Sequence, residues 1–167
     1  MLRNLKYCGK NEIMTSLSDQ THFGIHDIIK VLPHRYPFIL VDKIIVTEPE
    51  KSLVAYKNVT INEPYFQGHF PNQPVMPGVL SLESMAQAGA FLMLSVVDDP
   101  LSKNMYFSTI DHAKFRKPII PGDQLEIQME LVKKKLNICK FSGKCFVDDT
   151  LKVEAVLSAN IVDRPEV

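Results

Sequence analysis

The chain has no excess of charge of either sign: 19 lysines and arginines stand against 19 aspartates and glutamates in 167 residues. That balance excludes a global electrostatic attraction for nucleic acid, so any partner drawn by charge must meet a local patch. Cysteine is scarce. Cys8, Cys139 and Cys145 form no C-x-x-C pair, and an odd count without a signal peptide argues against a disulfide framework and for a reducing, cytoplasmic compartment. Membrane-length apolar runs are missing too: Ser84 to Val97 is 14 uncharged residues, short of the ~20 that a span needs. There is no HExxH pattern, no Cys/His cluster, no internal repeat and no linker.

What the chain does have is a hydrophobic content of 46%, ample for one core, and one stretch that concentrates the chemistry. That stretch, Gly68 to Val97, opens as a proline-broken loop carrying His69 and continues as an apolar run carrying Glu83. Pro77 suits a first helical position, because its fixed φ is helical and its missing N–H would be unpaired there. The spacing therefore predicts a helix from Pro77 or Gly78 to about Val97, stopped by Asp98, Asp99 and Pro100. Its apolar surface runs all the way round, which predicts burial on every side. Glu83 and Gln87, one turn apart, are its only long polar side chains, and a buried carboxylate without a partner costs several kcal/mol on typical scales. Taken singly, Glu83 fits a paired core acid and His69 a backbone-bonded loop histidine. Together with the helix start at Gly78, whose N–H groups and dipole favour an oxyanion, they place a base, an acid and an oxyanion donor in one segment.

Residues 1–20 are polar and aperiodic and are expected to form a disordered extension to a single domain of residues 21–167. They lack the apolar core and the Arg/Ser richness of targeting peptides, Met14 is a second candidate start, and organelle targeting by this extension stays open. Ile25, Ile28, Ile29 and Leu32 follow helical spacing up to Pro33. His34 and Arg35 sit in the two-proline segment LPHRYPF, where the proline density favours a structural turn over a ligand contact. Strands are expected at Phe38–Ile45, Ser52–Ile61 and Asn104–Asp111. Leu125, Ile127, Met129 and Leu131 alternate with polar residues, as do Cys139, Phe141, Cys145 and Val147, and Asp148-Asp149 makes a hairpin turn into Leu151–Ile161. The two later cysteines thus read as core residues, not nucleophiles. The sum is an α+β arrangement in which five to six antiparallel strands curl around one long central helix.

Three segments, LPHRYPFILVDKI, NEPYFQGHFPNQPVMPGVLSLESMAQ and AKFRKPIIPGDQL, occur in that order and resemble the β-hydroxyacyl-[acyl carrier protein] dehydratases of FabZ type, which have the hot-dog fold. The resemblance implies a catalytic histidine at His69, a catalytic acid at Glu83, an oxyanion amide at Gly78 and a carbonyl at Val75 that holds the imidazole. It also implies a homodimer in which each site takes its histidine from one chain and its acid from the other, with three dimers forming a hexamer. The expected partner is an acyl carrier protein bearing a phosphopantetheine-linked substrate, and neither a metal nor an organic cofactor takes part. Because that partner is acidic, Lys114, Arg116 and Lys117 are candidates for a basic rim, although a solvated strand edge explains them as well. Relatives that also isomerise the double bond carry Asp at the acid position, so Glu83 points to dehydration alone. A hot-dog thioesterase and a non-catalytic acyl-thioester binding module are the rival readings.

Overall fold

The structure, a computed structural model, describes residues 20–165. The expectation for residues 1–20 lies, but for Gln20, outside them. Seven strands form one antiparallel sheet: β1 (His22–Gly24), β2 (Lys43–Glu48), β3 (Ser52–Asn58), β4 (Lys103–Phe115), β5 (Gln124–Lys135), β6 (Ile138–Val147) and β7 (Thr150–Asp163). Their order across the sheet is β1-β2-β3-β5-β6-β7-β4. A short helix, α1 (Ile25–Val31), precedes the two-proline turn, and the long helix α2 (Gly78–Leu94) is held in the curl of the sheet. This is the hot-dog arrangement.

The period-2 pattern becomes the core. Leu125, Ile127 and Met129 of β5, Cys139, Phe141 and Cys145 of β6, and Val153, Ala155 and Leu157 of β7 are buried against Met85, Ala88, Phe91 and Leu92 of α2. Burial raises the pKa of both cysteine thiols, which suits inert packing. The Asp148-Asp149 turn has φ of 47° and 61°, the left-handed pair that a tight hairpin demands and that short polar side chains tolerate. In α2, Ser81 and Ser84 are buried yet satisfied, their hydroxyls donating to the carbonyls of Gly78 and Leu80.

Four expectations need correction. The strand expected from Phe38 begins only at Lys43, because the backbone before it is tied to α2: Gln87 accepts the Leu40 N–H and donates to the Phe38 carbonyl. β3 ends at Asn58, three residues before Ile61. α2 ends at Leu94 and not at Val97, since the Val97 N–H turns back to the Leu94 carbonyl and Val96 faces outward. There are seven strands because β1 spans three residues, too few for a periodic signal, and β4 runs on through Lys114 and Phe115 past a bulge at His112, φ 53°.

Gly143 of β6 shows how tight this core is. A Cβ there would lie 2.8 Å from Met129 Sδ and 2.9 Å from Met85 Sδ, both on fully buried side chains. Gly143→Ala is expected to destabilise the fold by about 1–3 kcal/mol through overpacking, seen as a lower denaturation midpoint with an unchanged slope.

Candidate active site

The stretch that carries His69 is positioned by a buried ion pair. Lys57, at the end of β3, is almost wholly removed from solvent, and an ammonium there requires a partner. Its Nζ meets Glu63 Oε1 at 2.5 Å and the Asn58 carbonyl at 3.2 Å. Glu63 immediately precedes a single 3-10 turn, Pro64–Gln67, and the N–H groups of Gly68 and His69 both close onto the Tyr65 carbonyl. The next residues then fold back, so that the Val75 N–H donates to the His69 carbonyl at 3.0 Å while His69 Nδ1 lies 2.6 Å from the Val75 carbonyl. A carbonyl only accepts, so Nδ1 holds the ring proton of a neutral His69 and Nε2 keeps its lone pair. That is the tautomer a general base needs.

Gly78 opens α2 two residues after Met76. The first N–H groups of a helix have no intrahelical acceptor, and Pro77 supplies no side-chain cap, so this end carries unfilled donors and the positive end of the dipole. Here glycine is required by close approach: a Cβ would lie 2.8 Å from two ring atoms of Phe115, which β4 lays over the helix start. His69, Val75, Gly78, Phe115, Arg116 and Lys117 border one cavity of about 430 Å³.

Glu83 opens into a different one, of about 350 Å³, beside His34, Phe38, Gln87 and Tyr106. Burial among apolar neighbours raises its carboxyl pKa above the ordinary value, with the hydrogen bond from Gln87 opposing the shift. Of the apolar residues that neighbour it in the helix, Leu82 and Met85 are buried and Ala86 is partly so. Gln87 is fixed end to end: its Oε1 accepts the Leu40 N–H at 2.9 Å, so its Nε2 must donate, to the Phe38 carbonyl at 2.7 Å and to Glu83 Oε1 at 2.9 Å. A ring nitrogen with a free lone pair, an open helix end and a carboxyl whose pKa burial raises are groups that can serve a proton-abstraction and leaving-group-protonation chemistry. One chain presents them in two cavities.

Residues 32–156 match the model of the FabA-like domain. The 3-hydroxyacyl-[acyl-carrier-protein] dehydratase FabZ of Geotalea uraniireducens is 52% identical over 141 residues, which cover 84% of this chain and 97% of that protein. The chain belongs to the family of FabZ-type dehydratases. The protein of the same name from Campylobacter concisus is 51% identical over 143 residues, covering 83% of this chain and 97% of its own. Among solved structures, the dehydratase heterocomplex ApeI:P from Xenorhabdus doucetiae superposes with a TM-score of 0.68 at 20% identity over 82% of this chain and 91% of that one, a likeness of fold.

Of the three cations proposed for a basic rim in this FabZ-type chain, Arg116 and Lys117 border the His69 cavity and Lys114 does not. Lys114 and Arg116 share Glu154, at 3.6 and 2.5 Å, whereas Lys117 has no carboxylate partner among the described residues. Arg35 is structural, as its turn predicts: it donates to the carbonyls of Ile29, Leu32 and His34. His34 is not only that, since its Nε2 lies 3.5 Å from Glu83 Oε1. That contact, the bridging role of Gln87 and the Lys57–Glu63 pair are absent from the sequence reading. Gln87 carried a signal, a long amide on an otherwise apolar helix; the other two join residues whose partners no local pattern reveals. Among the described residues no group of three His, Cys, Asp or Glu side chains is placed to hold a metal ion.

Proposed function

We infer that the protein dehydrates (3R)-hydroxyacyl groups carried on acyl carrier protein to trans-2-enoyl groups, in fatty acid biosynthesis. What carries this reading is half-identity, over 84% of the chain, to proteins that bear the dehydratase name along nearly their whole length. The geometry supplies the means. His69 Nε2 takes the α-proton, the Gly78 N–H and the helix dipole receive the charge that builds on the thioester oxygen, and Glu83 gives its proton to the β-hydroxyl as the C–O bond breaks. Water and the enoyl thioester leave.

His69 and Glu83 open into separate cavities of one chain, which supports a site shared between two copies. β4 is the natural seam: it bonds only to β7, so its other edge is unpaired among the described residues, and Tyr106, Phe107 and Ile110 are exposed along it. In the dimer each site combines His69 of one protomer with Glu83 of its partner, and three dimers make the hexamer. Lys117, with Lys114 and Arg116 behind it, meets the acidic carrier protein. Residues 21–167 act as one domain, in the cytoplasm.

The reading is tested with a 3-hydroxyacyl carrier protein as substrate. Dehydration appears as enoyl absorbance without loss of thioester. Release of free thiol instead would make the protein a thioesterase, and binding without either product a non-catalytic module.

Glu83 also sets a pH dependence. The acid works only while protonated, and burial raises its pKa, so activity should persist above the ordinary carboxylate range and fall on the alkaline side as Glu83 ionises. Residual activity of Glu83→Gln, which cannot deliver a proton, should lack that alkaline limb. A retained wild-type limb would assign the acid to another residue.

A further inference from the structure

We propose that His34 is a positioning residue for the acid step, its Nε2–H holding Glu83 by Oε1 so that the proton to be delivered sits on Oε2. The inference rests on the dehydratase reading and adds a residue to it. Gln87 already fixes one side of the carboxyl: with its own oxygen committed to Leu40 N–H, it presents an N–H to Glu83 Oε1. His34 Nε2 faces the same oxygen at 3.5 Å, across the wall of the same cavity.

The ring's other nitrogen decides the tautomer. His34 Nδ1 is buried and has no hydrogen-bond partner among the described residues. A neutral imidazole carries one N–H, and placing it on Nδ1 would bury an unpaired donor, which costs more than leaving a lone pair unmatched while Nε2–H faces Glu83 Oε1 at 3.5 Å. The proton therefore belongs on Nε2, aimed at Glu83. The carbonyl oxygen of a carboxyl group is its better acceptor, so with Gln87 and His34 both directed at Oε1 the proton is favoured on Oε2.

The groups around the ring favour that neutral form. Glu83 and Gln87 face it from α2, the uncharged Asn104 and Tyr106 line the cavity from β4, Arg35 follows it in the turn and Arg164 lies beyond β7. Burial, then the charges of Arg35 and Arg164, lower the His34 pKa. As Oε2 loses its proton, charge spreads to Oε1, the Gln87 bond becomes charge-assisted, and His34 Nε2–H, 3.5 Å away, is drawn into a second one. His34 thus eases the formation of a carboxylate in a half-buried pocket without touching the substrate.

Three measurements on the full chain test this. Nitrogen NMR of the wild type should find neutral His34 protonated on Nε2; protonation on Nδ1 overturns the proposal, whatever any variant does. His34→Phe keeps a ring beside Phe38 and removes the N–H, so the Glu83 carboxyl titration, followed by 13C NMR without substrate, should move up by about one pH unit. With it, kcat should fall by about tenfold with KM little changed. His34→Gln restores an N–H at a similar reach and should recover most of both. An unmoved Glu83 titration in His34→Phe, or equal behaviour of the two variants, overturns the assignment. If the wild type fails to dehydrate any 3-hydroxyacyl carrier protein, the functional reading falls, while the tautomer and titration still decide the contact.

Discussion

His69→Ala and Glu83→Gln are each expected to lower kcat by at least ~100-fold, the usual scale for one acid or base, with the fold intact. The reason is specific to each side chain. His69 owes its free Nε2 lone pair to the 2.6 Å contact of Nδ1 with the Val75 carbonyl, and in the proposed mechanism alanine leaves nothing to accept the α-proton. Glutamine at 83 keeps the size and polarity of the acid and can still meet Gln87, but it has no proton to give to the departing hydroxyl. Folding should survive because His69 is part-exposed on a loop and Glu83 is the half-buried polar member of a buried helix. Steady-state turnover of each purified variant, beside its circular dichroism spectrum, makes the comparison. Near-normal turnover in either would remove that residue from the mechanism.

Much of this arrangement was legible in the chain, for reasons that differ by element. β5 as far as Leu131 and β6 alternate because one face meets α2 and the other does not, so a period of two records their burial directly. The start of α2 was legible because proline and glycine constrain backbone geometry locally. The segment from Phe38 to Asp42 was not, because its hydrogen bonds go to a side chain 47 to 49 residues away, and no local pattern encodes that choice. The same holds for the site. His69 and Glu83 stand out as polar residues at improbable positions, whereas His34 looks like one residue of a proline turn until the fold brings it to Glu83. Lys57 alternates like a strand residue, and only its burial beside Glu63 turns it into a support for the His69 loop.

Mixing the two inactive variants should restore activity that neither possesses. If each site joins His69 of one protomer to Glu83 of its partner, a dimer of one His69→Ala chain and one Glu83→Gln chain has one doubly damaged site and one intact site. The intact site draws its histidine from the Glu83→Gln chain and its acid from the His69→Ala chain. Random exchange of equal amounts makes half of the dimers hybrid, so about a quarter of the wild-type sites should be regained. The separation of the two residues into distinct cavities of one chain, and the edge of β4 that is unpaired among the described residues, are what make this outcome the expected one. Exchange is verified with differently tagged subunits, and activity is read before and after it. Hybrids that form and stay inactive would mean that each chain completes its own site, with a rearrangement bringing Glu83 to His69 and β4 serving only as a joint.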